Sequence, residues 1–277
     1  MPNRILGFSI ASLMFPIVIS GFPVSMDIGT FSIDDYTSNG GGMGNLSYMI
    51  AGSQNFFWAA NSNIPGYSSS VAAVGSGTNT PSLALDLRNT QVTKAAIINT
   101  GSGYGSREYC DFVYYGGHGF NSKMFLGNFS NYGFVSASET NLGTGYTRWI
   151  FTNSCSLFNG GDPATLWQPA FKGLKAMLGF RSFIFDNNLS WDLYNDFWTN
   201  WTYREKSLMN AFFDSEANYG YKHLYPAKGL ETGCLSALTS TDFDYCREAY
   251  KFVAHDYNKP ILNSGNYYAK KIGTPQY

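Results

Sequence analysis

The chain has 277 residues and a net charge of −1. Its 44% hydrophobic content and its length exclude a disordered chain and allow one sizeable core. The longest basic run is Lys270-Lys271, which excludes ordinary nucleic-acid binding, because neutralising phosphates needs clustered Lys and Arg. Charged residues make up only 13% and aromatics 17%, a neutral polar mixture commoner outside the cytoplasm than inside it.

Met1–Arg4 is a short basic start and Ile5–Phe22 is almost wholly apolar. Residues 1–25 therefore read as a secretory signal peptide, and residues 26–277 as a single exported domain, secreted or held at the cell surface. An uncleaved anchor is the competing reading, since about 18 apolar residues nearly span a bilayer. It would be the one route to a membrane; a buried first strand and helix is a third reading.

Ile28–Ile33 alternates as a first strand, and Asp34-Asp35-Tyr36 with the glycines near residue 41 forms a loop. Asp34 and Asp35, at a strand end, could line a pocket or bind calcium. Leu46–Asn61 reads as a helix and Ile64–Pro81 as irregular chain; Lys94–Ile98 is a short strand or a helix end. Two stronger segments follow. Cys110–Tyr115 and Arg148–Thr152 are β-favouring apolar runs that stop at small residues, as central strands of a parallel sheet do. Trp167–Leu178 reads as a helix, with Phe171, Leu174 and Leu178 at helical spacing, and Phe180–Phe185 as the next strand, completing a βαβ unit. Leu189–Trp201 and Lys206–Tyr219 read as helices, and Tyr250–Ala254 as a strand.

Chemistry concentrates behind the two strong strands. His118 stands in Gly116-Gly117-His118-Gly119, where glycines turn the chain tightly and leave the ring accessible as a general acid or base. A hydrogen-bonded turn histidine or a metal ligand is the bland alternative. Cys155 holds the equivalent place after the next strand, 37 residues on. Adjacent parallel strands would bring the pair to one sheet edge, where ligands of α/β folds gather. A cysteine nucleophile needs such a base nearby, and a buried structural thiol is its alternative.

The other candidates are weaker. His223 and His255 read as structural or surface residues. Cys234 and Cys246 lie in a polar, glycine-containing stretch and either pair or remain thiols. No Cys-x-x-Cys or His-x-x-x-His spacing supports a metal, and no Walker loop, serine elbow or dinucleotide fingerprint is present, so no cofactor is expected. Asn-x-Ser/Thr sites at Asn45, Asn128, Asn188 and Asn200 are compatible with export.

Asp111 to Gly119 resembles the strand-plus-His-Gly motif of caspases, metacaspases and gingipains, and Arg148 to Cys155 resembles their strand ending in the nucleophilic cysteine. The resemblance extends roughly from Ile28 to Tyr219 and is nearest to exported gingipain- and metacaspase-related proteins. It implies a caspase-like three-layer α-β-α sandwich with a mostly parallel central sheet. It further implies a cysteine peptidase acting on protein or peptide substrates, with Cys155 as nucleophile and His118 as acid/base. The oxyanion would be held by the backbone N–H groups of Gly119 and Cys155. Metacaspases carry an acidic residue two positions before the cysteine; this chain has Asn153 there, which leaves basic specificity open, with Asp162 or Asp186 as alternative sources of the charge. Two other functions remain open: a non-catalytic cell-surface binding module on the same scaffold, and an amidase or acyl transferase using the same dyad.

Overall fold

The computed structural model describes residues 26–36, 43–63, 82–98, 110–127, 133–145, 147–159, 166–172, 174, 176–180, 190–204, 206, 208–218, 227–232 and 267–271. The expected signal segment, the irregular stretch 64–81, Asp162, Asp186, His223, His255, the Cys234/Cys246 pair and the strand at 250–254 lie outside them. Among the described residues no helix is long and apolar enough to cross a membrane.

Among the described residues seven strands form the main sheet, in the order β10-β9-β8-β7-β3-β1-β2. They are β1 (Asp27–Ser32), β2 (Ser82–Arg88), β3 (Phe112–Gly116), β7 (Trp149–Asn153), β8 (Ala176–Phe180), β9 (Ala227–Thr232) and β10 (Tyr267–Lys271). The five from β2 to β8 run parallel, and β9 and β10 continue antiparallel. A second sheet of β4 (Gly119–Phe120), β5 (Lys123–Phe125) and β6 (Phe134–Ser136) is antiparallel.

Every residue of β3 and β8 is buried, which explains their near-continuous apolar sequence. Side chains alternate between two cores. Phe112, Tyr114, Trp149 and Phe151 face helices α1 (Met49–Asn63), α3 (Ser190–Thr202) and α4 (Leu208–Asn218). Val113, Tyr115 and Ile150 face the short helix α2 (Lys94–Ile98) and the small sheet. The molecule is thus a mixed α/β fold with layers on both faces of its parallel sheet.

Helix α1 buries Gly52, Phe56, Ala59, Ala60 and Asn63, a stripe at helical spacing. Phe56 is its centre, with six aromatic rings around it at centroid distances of 5.2–6.2 Å. The Asp34 carboxylate caps this helix, Oδ1 accepting from Met49 N at 2.9 Å and Ile50 N at 3.1 Å. A negative group at a helix N-terminus is stabilising. The Asp34 and Asp35 amides donate to Asn89 Oδ1. Asp34 is therefore a helix cap, and among the described residues no three acidic, His or Cys side chains converge on a metal site.

The helix expected over Trp167–Leu178 is not formed as such. Gln168–Ala170 is a 3-10 turn, Phe171 bridges to Leu142, and β8 begins at Ala176, ahead of the strand expected at Phe180–Phe185. Phe171, Leu174 and Leu178 are all buried, which their spacing reflects. However, Met177 and Leu178 are fully buried on opposite faces of the sheet, and a short apolar run does not distinguish strand from helix by periodicity.

Candidate active site

Chain order runs from β1 out to the edge at β2 and then back past β1 to β3, so the sheet changes direction between β1 and β3. Crevices at the carboxyl ends of strands form at such points. Register fixes what stands there. Gly116 of β3 pairs with Asn153 of β7, and Gly117 N extends the ladder to Asn153 O at 3.2 Å. His118 and Cys155 each lie two residues past these paired ends, so the structure brings both to the same edge.

Behind His118 the chain turns into the β4–β5 hairpin. Asn121 and Ser122 have φ of 46° and 63°, the two positive values of a type I′ turn. The turn is stitched to the loop behind Cys155: Asn121 N donates to Ser156 O and Ser122 N to Leu157 O, both at 3.1 Å. The hairpin pairs Gly119 with Met124 and Phe120 with Lys123. Across a two-residue turn the Phe120–Lys123 pair is the hydrogen-bonded one, so Gly119 is not, and its N–H points away from β5. It shares that side with Asn121 N, facing the Cys155 loop.

Gly119 has no alternative at its position. A Cβ there would stand 2.0 Å from Ser154 Oγ and 2.9 Å from the Cys155 carbonyl oxygen. Gly119→Ala is therefore expected to slow labelling of the Cys155 thiol by a peptidyl electrophile by about 100-fold, the effect of an ångström-scale displacement of reacting groups. Adding Ser154→Ala is expected to restore part of it, because the nearer clash is removed. Labelling of Gly119→Ala at the wild-type rate would contradict this packing.

The His118 ring is oriented by Nε2, which lies 2.8 Å from the Gly44 carbonyl oxygen. A carbonyl only accepts, so Nε2 carries hydrogen and the neutral ring keeps its lone pair on Nδ1. The Tyr36 ring lies against the imidazole, centroids 4.6 Å apart at 55°. His118 N donates to Tyr36 Oη at 2.8 Å, and His118 O accepts from Phe125 N at 3.0 Å and shares the one Tyr115 hydroxyl proton, at 3.1 Å, with Phe125 O at 2.7 Å.

Cys155 is a partly exposed thiol outside any disulfide. The next residue, Ser156, is 1% exposed and has φ of 47°. A buried non-glycine residue in the left-handed region is strained, and such strain clusters at functional sites. Cys110 is fully buried and packs against Gly29, a structural thiol.

Asn153 is half-buried on the helical side of β7. Its Nδ2 donates to Tyr114 Oη at 3.2 Å, and that hydroxyl lies 3.0 Å from Tyr194 Oη. These hydroxyls are neutral, as is the Met49 sulfur 3.8 Å from Nδ2. Asn200, one of the Asn-x-Ser/Thr sites, is fully buried, with Nδ2 on Ser215 Oγ and Asp196 Oδ2, both at 3.0 Å. That asparagine is not a glycan acceptor in the folded chain.

Sequence reasoning missed Tyr36, Gly44 and Tyr115. Tyr36 and Gly44 reach the site by long-range closure, which no spacing announces, and Tyr115 stands three residues before His118. The Asn121-Ser122 pair was a readable turn signal, since asparagine tolerates positive φ.

The fold and this edge define an α/β protein with a histidine and a cysteine behind neighbouring parallel strands. A family model described as a domain of unknown function, DUF6345, matches residues 96–225, just under half of the chain and including both residues. No curated protein matches the sequence.

Proposed function

We propose that this protein is an exported cysteine peptidase with a caspase-like three-layer sandwich, in which His118 and Cys155 form the dyad. The observation that supports this most is the Gly116–Asn153 register, together with the Gly44 carbonyl on His118 Nε2. The Cys155 thiolate adds to the scissile carbonyl carbon, and the N–H groups of Gly119 and Cys155 receive the oxyanion. The C–N bond then breaks as the imidazolium of His118 protonates the departing amine, leaving a thioester. Water, losing its proton to His118, attacks that thioester, and the C–S bond breaks to release the acid and the thiolate. Asn153, in place of an acidic residue, favours uncharged side chains before the scissile bond over Arg or Lys. Residues 1–25 act as the export signal in this reading.

The test is labelling with acyloxymethyl-ketone peptides that vary the residue next to the reactive group, followed by mapping of the modified cysteine. Labelling at Cys155 that is lost in His118→Ala is expected, with neutral side chains preferred. A folded protein that takes no label, or one labelled equally well without His118, would overturn the reading and leave a binding module on the same scaffold. An amidase or acyl transferase would share the labelling and differ in its products.

A further inference from the structure

We propose that Tyr36 and Tyr115 are positioning residues for His118, two buried hydroxyls that clamp its backbone from both sides at an opened rung of the β4–β5 ladder. The inference rests on the dyad reading only for its catalytic consequence.

The opened rung follows from the hairpin register. One step beyond the Gly119–Met124 pair, His118 and Phe125 face each other at a hydrogen-bonded position, which in a regular ladder carries two N–H···O bonds. One is made, Phe125 N to His118 O at 3.0 Å. In place of the other, His118 N donates to Tyr36 Oη at 2.8 Å, and Phe125 O accepts from Tyr115 Oη at 2.7 Å. The two hydroxyls converge over Gly117, where an added Cβ would meet Tyr36 Oη at 2.7 Å and Tyr115 Oη at 3.0 Å. Both tyrosines are at most 2% exposed. Burial raises both phenols above their ordinary value, so they remain hydroxyls at any working pH.

Tyr36 also ties this clamp to the ring. Its own amide donates to Asn45 Oδ1 at 2.8 Å, which holds the segment whose Gly44 carbonyl takes His118 Nε2. One residue thus fixes the His118 main chain, packs on its imidazole and anchors the group that sets its tautomer. Catalytic groups need holding to within about 0.5 Å and 10–20°.

Tyr36→Phe keeps the ring and removes the acceptor, which lets His118 N swing to Phe125 O and close the rung. Two readouts on the intact protein separate positioning from mere packing. The first is the pH profile of Cys155 alkylation by iodoacetamide. The second is the ¹⁵N spectrum of the His118 imidazole. In Tyr36→Phe, alkylation at pH 7 is expected to slow about tenfold and its midpoint to move toward an ordinary thiol near about 8.5. The Nε2 resonance is expected to lose its single-tautomer position. Tyr115→Phe, which leaves His118 N bonded, is expected to give smaller shifts of the same sign and serves should Tyr36→Phe not fold. Unchanged alkylation and unchanged His118 resonances in a folded variant would overturn the clamp. If wild-type alkylation is itself indifferent to His118→Ala, the dyad reading fails; the imidazole spectrum then still decides the clamp, a shift supporting it and no shift overturning it.

Discussion

Cys155→Ala is expected to abolish peptide cleavage, and His118→Ala to lower kcat by about 1,000-fold or more, with both variants folded. The two differ because removal of the nucleophile removes the covalent route altogether, whereas removal of the base leaves a thiol with its ordinary reactivity. The alkylation profile of His118→Ala is expected to revert to a thiol midpoint near about 8.5. Folding should survive in both. Cys155 is partly exposed, and the loop around it is held by main-chain bonds, Asn121 N to Ser156 O and Ser122 N to Leu157 O, that neither substitution removes. The double variant His118→Ala/Cys155→Ala should be no worse than Cys155→Ala, since residues acting as one unit are strongly non-additive. Turnover by Cys155→Ala at the wild-type rate would end the peptidase reading.

The second large effect concerns stability. Glu216 in α4 is 8% exposed, and its Oε1 has no hydrogen-bond partner among the described residues. Burial pushes its carboxyl up from 4.5 to about 8. Between those values the folded chain keeps a proton that the unfolded chain has released. Stability therefore falls as pH rises, by about 1.4 kcal/mol per unit, and levels off above about 8. This group's contribution is fully present below the unfolded value, and the total loss is on the order of a few kcal/mol. Urea midpoints measured from pH 5 to pH 8.5 are expected to decline with this slope. Glu216→Gln, which mimics the protonated side chain, is expected to flatten the profile and to be the more stable protein at pH 8. Parallel profiles for the two proteins would show that the buried carboxyl has a partner that keeps it ionised.

The elements that sequence alone settled are those whose pattern answers to one physical cause. The strands expected at Cys110–Tyr115 and Arg148–Thr152 are formed at Phe112–Gly116 and Trp149–Asn153, because a central parallel strand is buried on both faces and must be apolar along its length. Helix α1 and the two helices of residues 190–218 were legible from their spacing, within two or three residues at each end. The small residues that end the two strong strands announced His118 and Cys155 as a pair, because a chain that must turn at a sheet edge needs them there.

Other features answer to more than one cause, and only the tertiary structure decided between them. The run from Trp167 to Phe180 carries helical spacing, yet its last five residues complete the sheet beside β7, because an open edge there offers main-chain bonds and burial that a helix does not. The β4–β5 hairpin went unread because its strands span only two and three residues, and β2 went unread although Leu83, Leu85 and Leu87 alternate through it. Asp34, read from sequence only as a strand-end residue that could line a pocket or bind calcium, caps α1, because that helix starts 15 residues later in sequence and beside it in space. Tyr36, Gly44 and Tyr115 are separated from His118 by 82, 74 and three residues. The Tyr36 and Gly44 hydrogen bonds exist only once β1 and β3 pair and residues 36 and 44 reach the sheet edge, whereas the Tyr115 bond is local. The sequence by itself thus placed His118 and Cys155 just past the ends of neighbouring strands, through local turn geometry. Long-range closure of the chain decided how the histidine is held.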